Sequence, residues 1–150
     1  MFANPQSSLI TGASSGIGAA LANHYAANGI TLFLSGRDRE RLDAVADQCR
    51  DKGSSVGTWI GDVTDEEGIR QWILACDGKR PLNLVIANAG VALGATGVSA
   101  LHRAAVDSIH VNVNGVFNTL HPALEAMASR RPYPVRDAQV AIMSSVMGYA

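Results

Sequence analysis

Short apolar runs of five or six residues alternate along this chain with longer segments whose apolar positions recur every three to four residues. The runs at 7–11, 30–34, 55–60, 82–87 and 140–144 are bounded by turn-forming residues, which predicts buried strands. The run at 82–87 is almost wholly apolar, as a parallel strand covered on both faces requires. Between the runs, the pattern predicts helices over 19–28, 39–52 and 65–76. Asn28-Gly29 and Gly53 act as stops for the first two, because glycine takes the left-handed conformation freely. Thr64, with Glu67 three residues on, reads as a capping box for the third. A long helical region over 99–129 carries Leu101, Ala105, Ile109, Val113, Val116, Leu120, Leu124 and Met127 at helical spacing, and Pro122 is expected to kink or divide it. Strand–helix alternation of this kind predicts an α/β fold. It is a doubly wound parallel sheet of five strands with helices on both faces, in three αβα layers joined by right-handed crossovers.

Composition narrows the class. At 150 residues, 47% hydrophobic and 17% charged, the chain is one globular domain with a substantial core. A net charge of −1 offers no electrostatic footprint for nucleic acid or an acidic membrane. Cys49 and Cys76 stand alone in helix-like stretches without a CxxC, so no disulfide is expected. The start lacks the basic and apolar regions of a secretory signal, and no apolar run approaches the ~20 residues of a membrane span. A cytoplasmic location is therefore expected. His24, His102, His110 and His121 show no ligand grouping, so no metal is expected.

Fifteen glycines change the picture more, through where they fall. Between the first strand and the first helix lies Thr11-Gly12-Ala13-Ser14-Ser15-Gly16-Ile17-Gly18. Backbone N–H groups of such a loop, with the positive end of the helix behind them, suit a phosphate. Gly12 permits the tight turn, Gly16 lets a ligand reach the backbone, and Gly18 lets the helix pack close to the sheet. Spaced glycines also occur in turns that only pack, but the position at strand one and helix one favours a ligand. No Gly-Lys-Ser/Thr follows, so the loop is not a P-loop. The first two glycines stand four apart, unlike the GxGxxG spacing.

TGASSGIG resembles the TGxxxGIG fingerprint of the short-chain dehydrogenase/reductase family, and the resemblance extends over essentially the whole chain. It implies a Rossmann-type NAD(P)-binding domain over 1–150 that is C-terminally incomplete, with Gly12, Ser14, Ser15, Gly16, Ile17 and Gly18 at the cofactor. Gly61-Asp62-Val63-Thr64 resembles the family's adenine-contacting stretch, which places Asp62 and Val63 at the adenine. The alternative for Asp62 is a helix-capping role. Ala87-Asn88-Ala89-Gly90 is similar to the family's NNAG, with alanine for the first asparagine, and puts Asn88, Ala89 and Gly90 at the cofactor floor. Asn112-Val113-Asn114-Gly115 resembles the NxxG stretch of the long helix. On that match Asn112 is catalytic, its amide or backbone carbonyl holding a water in the proton relay. Ser144-Ser145 with Gly148 resembles SSxxG, which makes Ser145 the residue that orients the substrate oxygen. The family's catalytic Tyr and Lys lie about a dozen residues beyond that serine. Tyr149 is too near Ser145 to stand in, so the pair is expected beyond residue 150, and the 150-residue chain alone is expected to be inactive.

The resemblance implies hydride transfer between a nicotinamide and a carbonyl or secondary alcohol of a small molecule. An NAD site places an acid at the end of strand two, and an NADP site a basic group. Gly36 falls where the acid is expected and Arg37 follows, so NADP(H) is preferred. NAD(H) remains possible through Asp38. A homodimer or homotetramer of the full-length protein is implied, paired through the long helix. The face around Val113, Val116 and Leu120 then lacks its partners in an isolated chain, which is expected to aggregate. A different class is a non-catalytic dinucleotide-binding module or inactive truncated form. A methyltransferase-like fold fits less well, because five separated motifs agree with the first reading.

Overall fold

The computed structural model describes residues 5–92, 97–130 and 138–144. The apolar runs form strands β1 (Ser7–Ile10), β2 (Thr31–Gly36), β3 (Ser55–Ile60), β4 (Leu84–Ala87) and β5 (Gln139–Ile142). All pair in parallel, in the order β3-β2-β1-β4-β5. Helices α1 (Gly16–Tyr25), α2 (Arg39–Asp51) and α3 (Glu66–Lys79) connect the first four strands. After β4 come α4 (Val98–Ile109), a π-helical segment (His110–Asn114) and α5 (Gly115–Ser129). This is the doubly wound parallel sheet that the sequence pattern predicts, of the Rossmann type that the resemblance implies.

Strand alternation divides the core in two. Ile10, Leu32, Leu34 and Ile86 pack with Ala22 of α1 and with Leu42, Val45 and Cys49 of α2. Leu9, Phe33 and Val85 face the other way, against Ile69, Ile73 and Cys76 of α3 and Ala123 and Met127 of α5. The central strands β1 and β4 are buried along their whole length, so a single polar face was never available to them. The strand order reverses between β1 and β4, and the crevice at their C-terminal ends is where such sheets bind ligands.

Three local expectations are corrected. The α3 cap is Asp65, whose carboxylate accepts the Gly68 N–H at 3.0 Å. Thr64 is not available for the expected box, because its hydroxyl donates to Asp62 at 2.9 Å. The first helix begins at Gly16 and ends at Tyr25, three residues earlier at each end than the pattern predicts, and Gly29 (φ +79°) serves the turn into β2 instead of the cap. The long helix is interrupted at His110–Asn114, where the Gly115 N–H bonds the His110 carbonyl five residues back. Pro122 lies inside a continuous α5, on its buried face.

That face consists of small residues, Gly115, Thr119, Ala123 and Ala126, with Pro122 and Met127. A Cβ at Gly115 would run into the Val63 side chain, so the start of α5 closely approaches the turn between β3 and α3. The larger apolar residues of the predicted stripe point elsewhere. Leu101, Ile109, Val113 and Leu124 are exposed, Val116 and Leu120 are half-buried, and only Met127 joins the core. Arg70 ties α3 to α5 through Glu125 at 2.6 Å. Asp77 accepts the Leu82 N–H (2.9 Å) and Arg130 (3.0 Å), while Arg130 also donates to the Leu82 carbonyl (2.9 Å), which anchors the end of α5 beside β4.

Candidate cofactor-binding site

The crevice is built by two turns locked together. From β1, Thr11 leads into Gly12, whose φ of +67° bends the chain toward α1. Any Cβ at Gly12 would lie 2.8 Å from the Ala89 Cα, and one at Gly18 would strike the Gly12 carbonyl. These two glycines therefore set how near the loop sits to the turn after β4. The Thr11 hydroxyl accepts the N–H groups of both Asn88 and Ala89, each at 3.1 Å. The Asn88 carboxamide returns hydrogen bonds to the carbonyls of Thr11 (2.9 Å) and Gly12 (3.3 Å). On the other side, the Ala13 N–H donates to the Ser35 carbonyl at 2.8 Å and pins the loop over the end of β2.

The N-terminus of α1 opens into this space. Ser15 is its cap residue by position, yet its side chain makes no capping bond, and no acid stands in the first turn. The first N–H groups of the helix are thus left for a ligand, with the positive end of its dipole behind them. Ile17, an apolar residue 59% exposed, lines the same cleft.

The cleft has a volume of about 490 Å³, within the range of roughly 300–1,000 Å³ usual for ligand sites. It gathers Gly12, Ser14, Ser15 and Ile17 with Arg37, Asp62, Val63, Asn88, Ala89 and Gly90, all expected from the sequence. Gly16 and Gly18 shape its loop. Ser35, Gly36 and Asp38, which the sequence placed at the ribose end of strand two, line it too, and Arg41, Val91 and Val111 also do, without having been singled out. Thr11 was missed as well, although its place at the head of the glycine motif was a signal. Ser145, Gly148 and Tyr149 lie outside the described residues.

Charges gather on one side of the cleft. Arg37 reaches Asp62 at 3.5 Å, and Arg41 meets Asp38 at 3.3 Å. Asp38 also caps α2 by accepting the Arg41 N–H at 3.1 Å. Partial burial pushes the Asp62 carboxyl up, but the Thr64 amide and hydroxyl and then Arg37 outweigh it, so Asp62 titrates below the ordinary carboxylate value. Asp62 is thus both a turn-former and a cleft residue.

Asn112 sits in the π-helical segment and does not itself line the cleft, but it is held against Val91, which does. Its carboxamide accepts the Val91 N–H and donates to the Val91 carbonyl, both at 2.8 Å, closing a ring with that backbone.

The model of the short chain dehydrogenase family matches residues 6–150. The chain belongs to that family. Serine 3-dehydrogenase of Rhizobium radiobacter is 30% identical over 142 residues, covering 93% of this chain and 56% of the relative. An uncharacterised oxidoreductase of Myxococcus xanthus (strain DK1622) is 37% identical over 128 residues, covering 84% and 50%. Among solved structures, a 3-ketoacyl-ACP reductase from Sinorhizobium meliloti 1021 superposes with a TM-score of 0.82 at 33% identity, covering 95% of this chain and 55% of that one. This short-chain dehydrogenase chain spans about half the length of the relatives it matches. The described residues hold no group of metal-ligating side chains, and none of their helices is long and apolar enough to cross a membrane.

The arrangement suits the family's nicotinamide dinucleotide. Side chains at Gly12 and Gly18 would close the turn, nothing lies within 4 Å of where a side chain at Gly16 would point, and the helix N-terminus is uncapped. A phosphate-bearing ligand fits such a cradle.

Proposed function

We propose that this chain is one NAD(P)-binding domain of a cytoplasmic NADP(H)-dependent oxidoreductase that acts on a small carbonyl compound or secondary alcohol. The observation that carries this reading is the uncapped N-terminus of α1, opening behind a glycine loop into the cleft at the switch point of the sheet. The chain covers only about half the length of its relatives, and we place the general acid/base Tyr and its Lys in the part this chain does not cover.

The bound nicotinamide supplies the hydride chemistry. The chain's own residues bind and orient. Loop N–H groups at Ser14 to Ile17 would hold the pyrophosphate, with Ser15 adding its hydroxyl. Arg37 offers its guanidinium fork to the 2′-phosphate. Asp62 accepts from the adenine amino group, and Val63 packs beneath it. Asn88 keeps the floor in register with the loop, with Ala89 and Gly90 beside the nicotinamide. The Asn112 carboxamide is committed to Val91, so we assign the relay water to its backbone carbonyl. Ser145 orients the substrate oxygen. We place the homo-oligomer contact on the exposed face of α4 and α5.

The test is turnover by the intact protein. Oxidation of NADPH, and of NADH in parallel, is followed with a panel of ketones, aldehydes and keto esters. NADPH-dependent reduction of at least one carbonyl is expected. Tight cofactor binding with no turnover across the panel, and none in reverse with secondary alcohols, would instead favour the non-catalytic dinucleotide-binding module.

A further inference from the structure

Gly36 ends β2 at the position where a site for NAD carries its ribose-binding acid. The space beside it is occupied by Ser14. A Cβ on Gly36 would lie 3.0 Å from both the Cβ and Oγ of Ser14, and 3.5 Å from its backbone nitrogen. Carbon atoms attract best at about 3.5–4.0 Å, so 3.0 Å is repulsive and one residue has to yield. Ser14 is poorly placed to do so. Ala13 before it is fully buried and bonded to the Ser35 carbonyl at 2.8 Å, and α1 begins two residues later. The Ser14 hydroxyl has no hydrogen-bond partner among the described residues, and it lines the cleft together with Arg37. Asp38 is meanwhile committed to capping α2 and to Arg41.

We infer that Ser14 sets the cofactor choice through two effects of one side chain. Its bulk excludes an acid from position 36, and its hydroxyl, next to that empty position, donates to the 2′-phosphate beside Arg37. The second effect rests on the NADP(H) reading; the first does not. NADP preference is then held by a contact across the cleft between the glycine loop and β2, and changing position 36 alone cannot convert it.

Two measurements on the intact protein test this. Thermal unfolding without cofactor compares Gly36→Ala, Ser14→Gly and the double variant. Gly36→Ala is expected to lower the Tm, and Ser14→Gly to offset that loss in the double variant. Strictly additive losses would overturn the steric gate, whichever cofactor the protein prefers. Cofactor affinities are then measured by fluorescence quenching. Ser14→Ala keeps the Cβ and removes the hydroxyl, so NADPH is expected to bind about tenfold more weakly, with NADH unchanged. An unchanged NADPH affinity would overturn the hydroxyl's role. Gly36→Asp alone is expected to gain nothing for NADH, whereas Gly36→Asp with Ser14→Gly gains it at the expense of NADPH. Equal gains in the single and double variants would overturn the gate. A wild-type preference for NADH would sink the NADP(H) reading and the hydroxyl's role with it, while leaving the stability comparison to judge the gate.

Discussion

The hydroxyl of Thr11 and the carboxamide of Asn88 hold each other's backbones. Thr11 accepts two N–H groups from the turn after β4, and Asn88 donates to two carbonyls of the glycine loop. Thr11 is 1% exposed, so losing its hydroxyl leaves both N–H groups facing a buried side chain without their acceptor. Thr11→Val, which keeps the shape, is expected to lower stability by about 2 kcal/mol, whereas Thr11→Ser retains most of it. Urea unfolding of the two variants decides this, and equal midpoints would contradict the lock.

The acid beside the cleft has a predictable titration. Asp62 titrates below the ordinary value because the Thr64 amide and hydroxyl and Arg37 favour its charged form more than burial disfavours it. A depressed carboxyl contributes stability above its unfolded value, and this is lost as pH falls through the folded one. Carboxyl-carbon NMR is expected to show the low midpoint, and Thr64→Val to raise it. A wild-type midpoint at or above that of a free aspartate would contradict the hydrogen-bonding account.

Burial raises both thiols, and Cys76 is pushed up to about 12. Both are free and buried. Neither is expected to react with an aromatic disulfide reagent at neutral pH in the native protein, and both should react in denaturant. Rapid native labelling of either would contradict the packing described for α2 and α3.

Phe117 is 67% exposed, on a face with Ile109, Val113 and Leu124. An apolar surface of this kind marks an interaction site or an aggregation liability. If it carries the proposed oligomer contact, Phe117→Glu shifts the protein to a smaller species in size-exclusion chromatography. An unchanged elution volume would place the contact elsewhere.

What the sequence made legible follows from distance along the chain. The strand positions and the glycine loop were readable because alternation and the 12–16–18 spacing are local signals. The Thr11 lock was not, because its partners lie 77 and 78 residues away. The break near Asn112 was sought at Pro122, the strongest helix breaker in the stretch, yet the interruption falls just before Gly115, and Pro122 fits a buried helix face. Thr64 looked like the cap of α3 because its hydroxyl suits that role, and only the fold shows that Asp62 takes it. The long helix misled by size: its large apolar residues face outward, and the close approach is made by Gly115, Thr119 and Ala123.

The most direct test of the central claim is calorimetric titration of the intact protein with NADPH and with NADH, alongside Arg37→Ala. Saturable binding at one NADPH per chain is predicted, tighter than NADH. Arg37→Ala should weaken NADPH at least about tenfold and NADH little, as loss of a charge-assisted pair to the 2′-phosphate requires. Failure of both cofactors to bind, or an NADPH affinity that Arg37→Ala leaves unchanged, would contradict it.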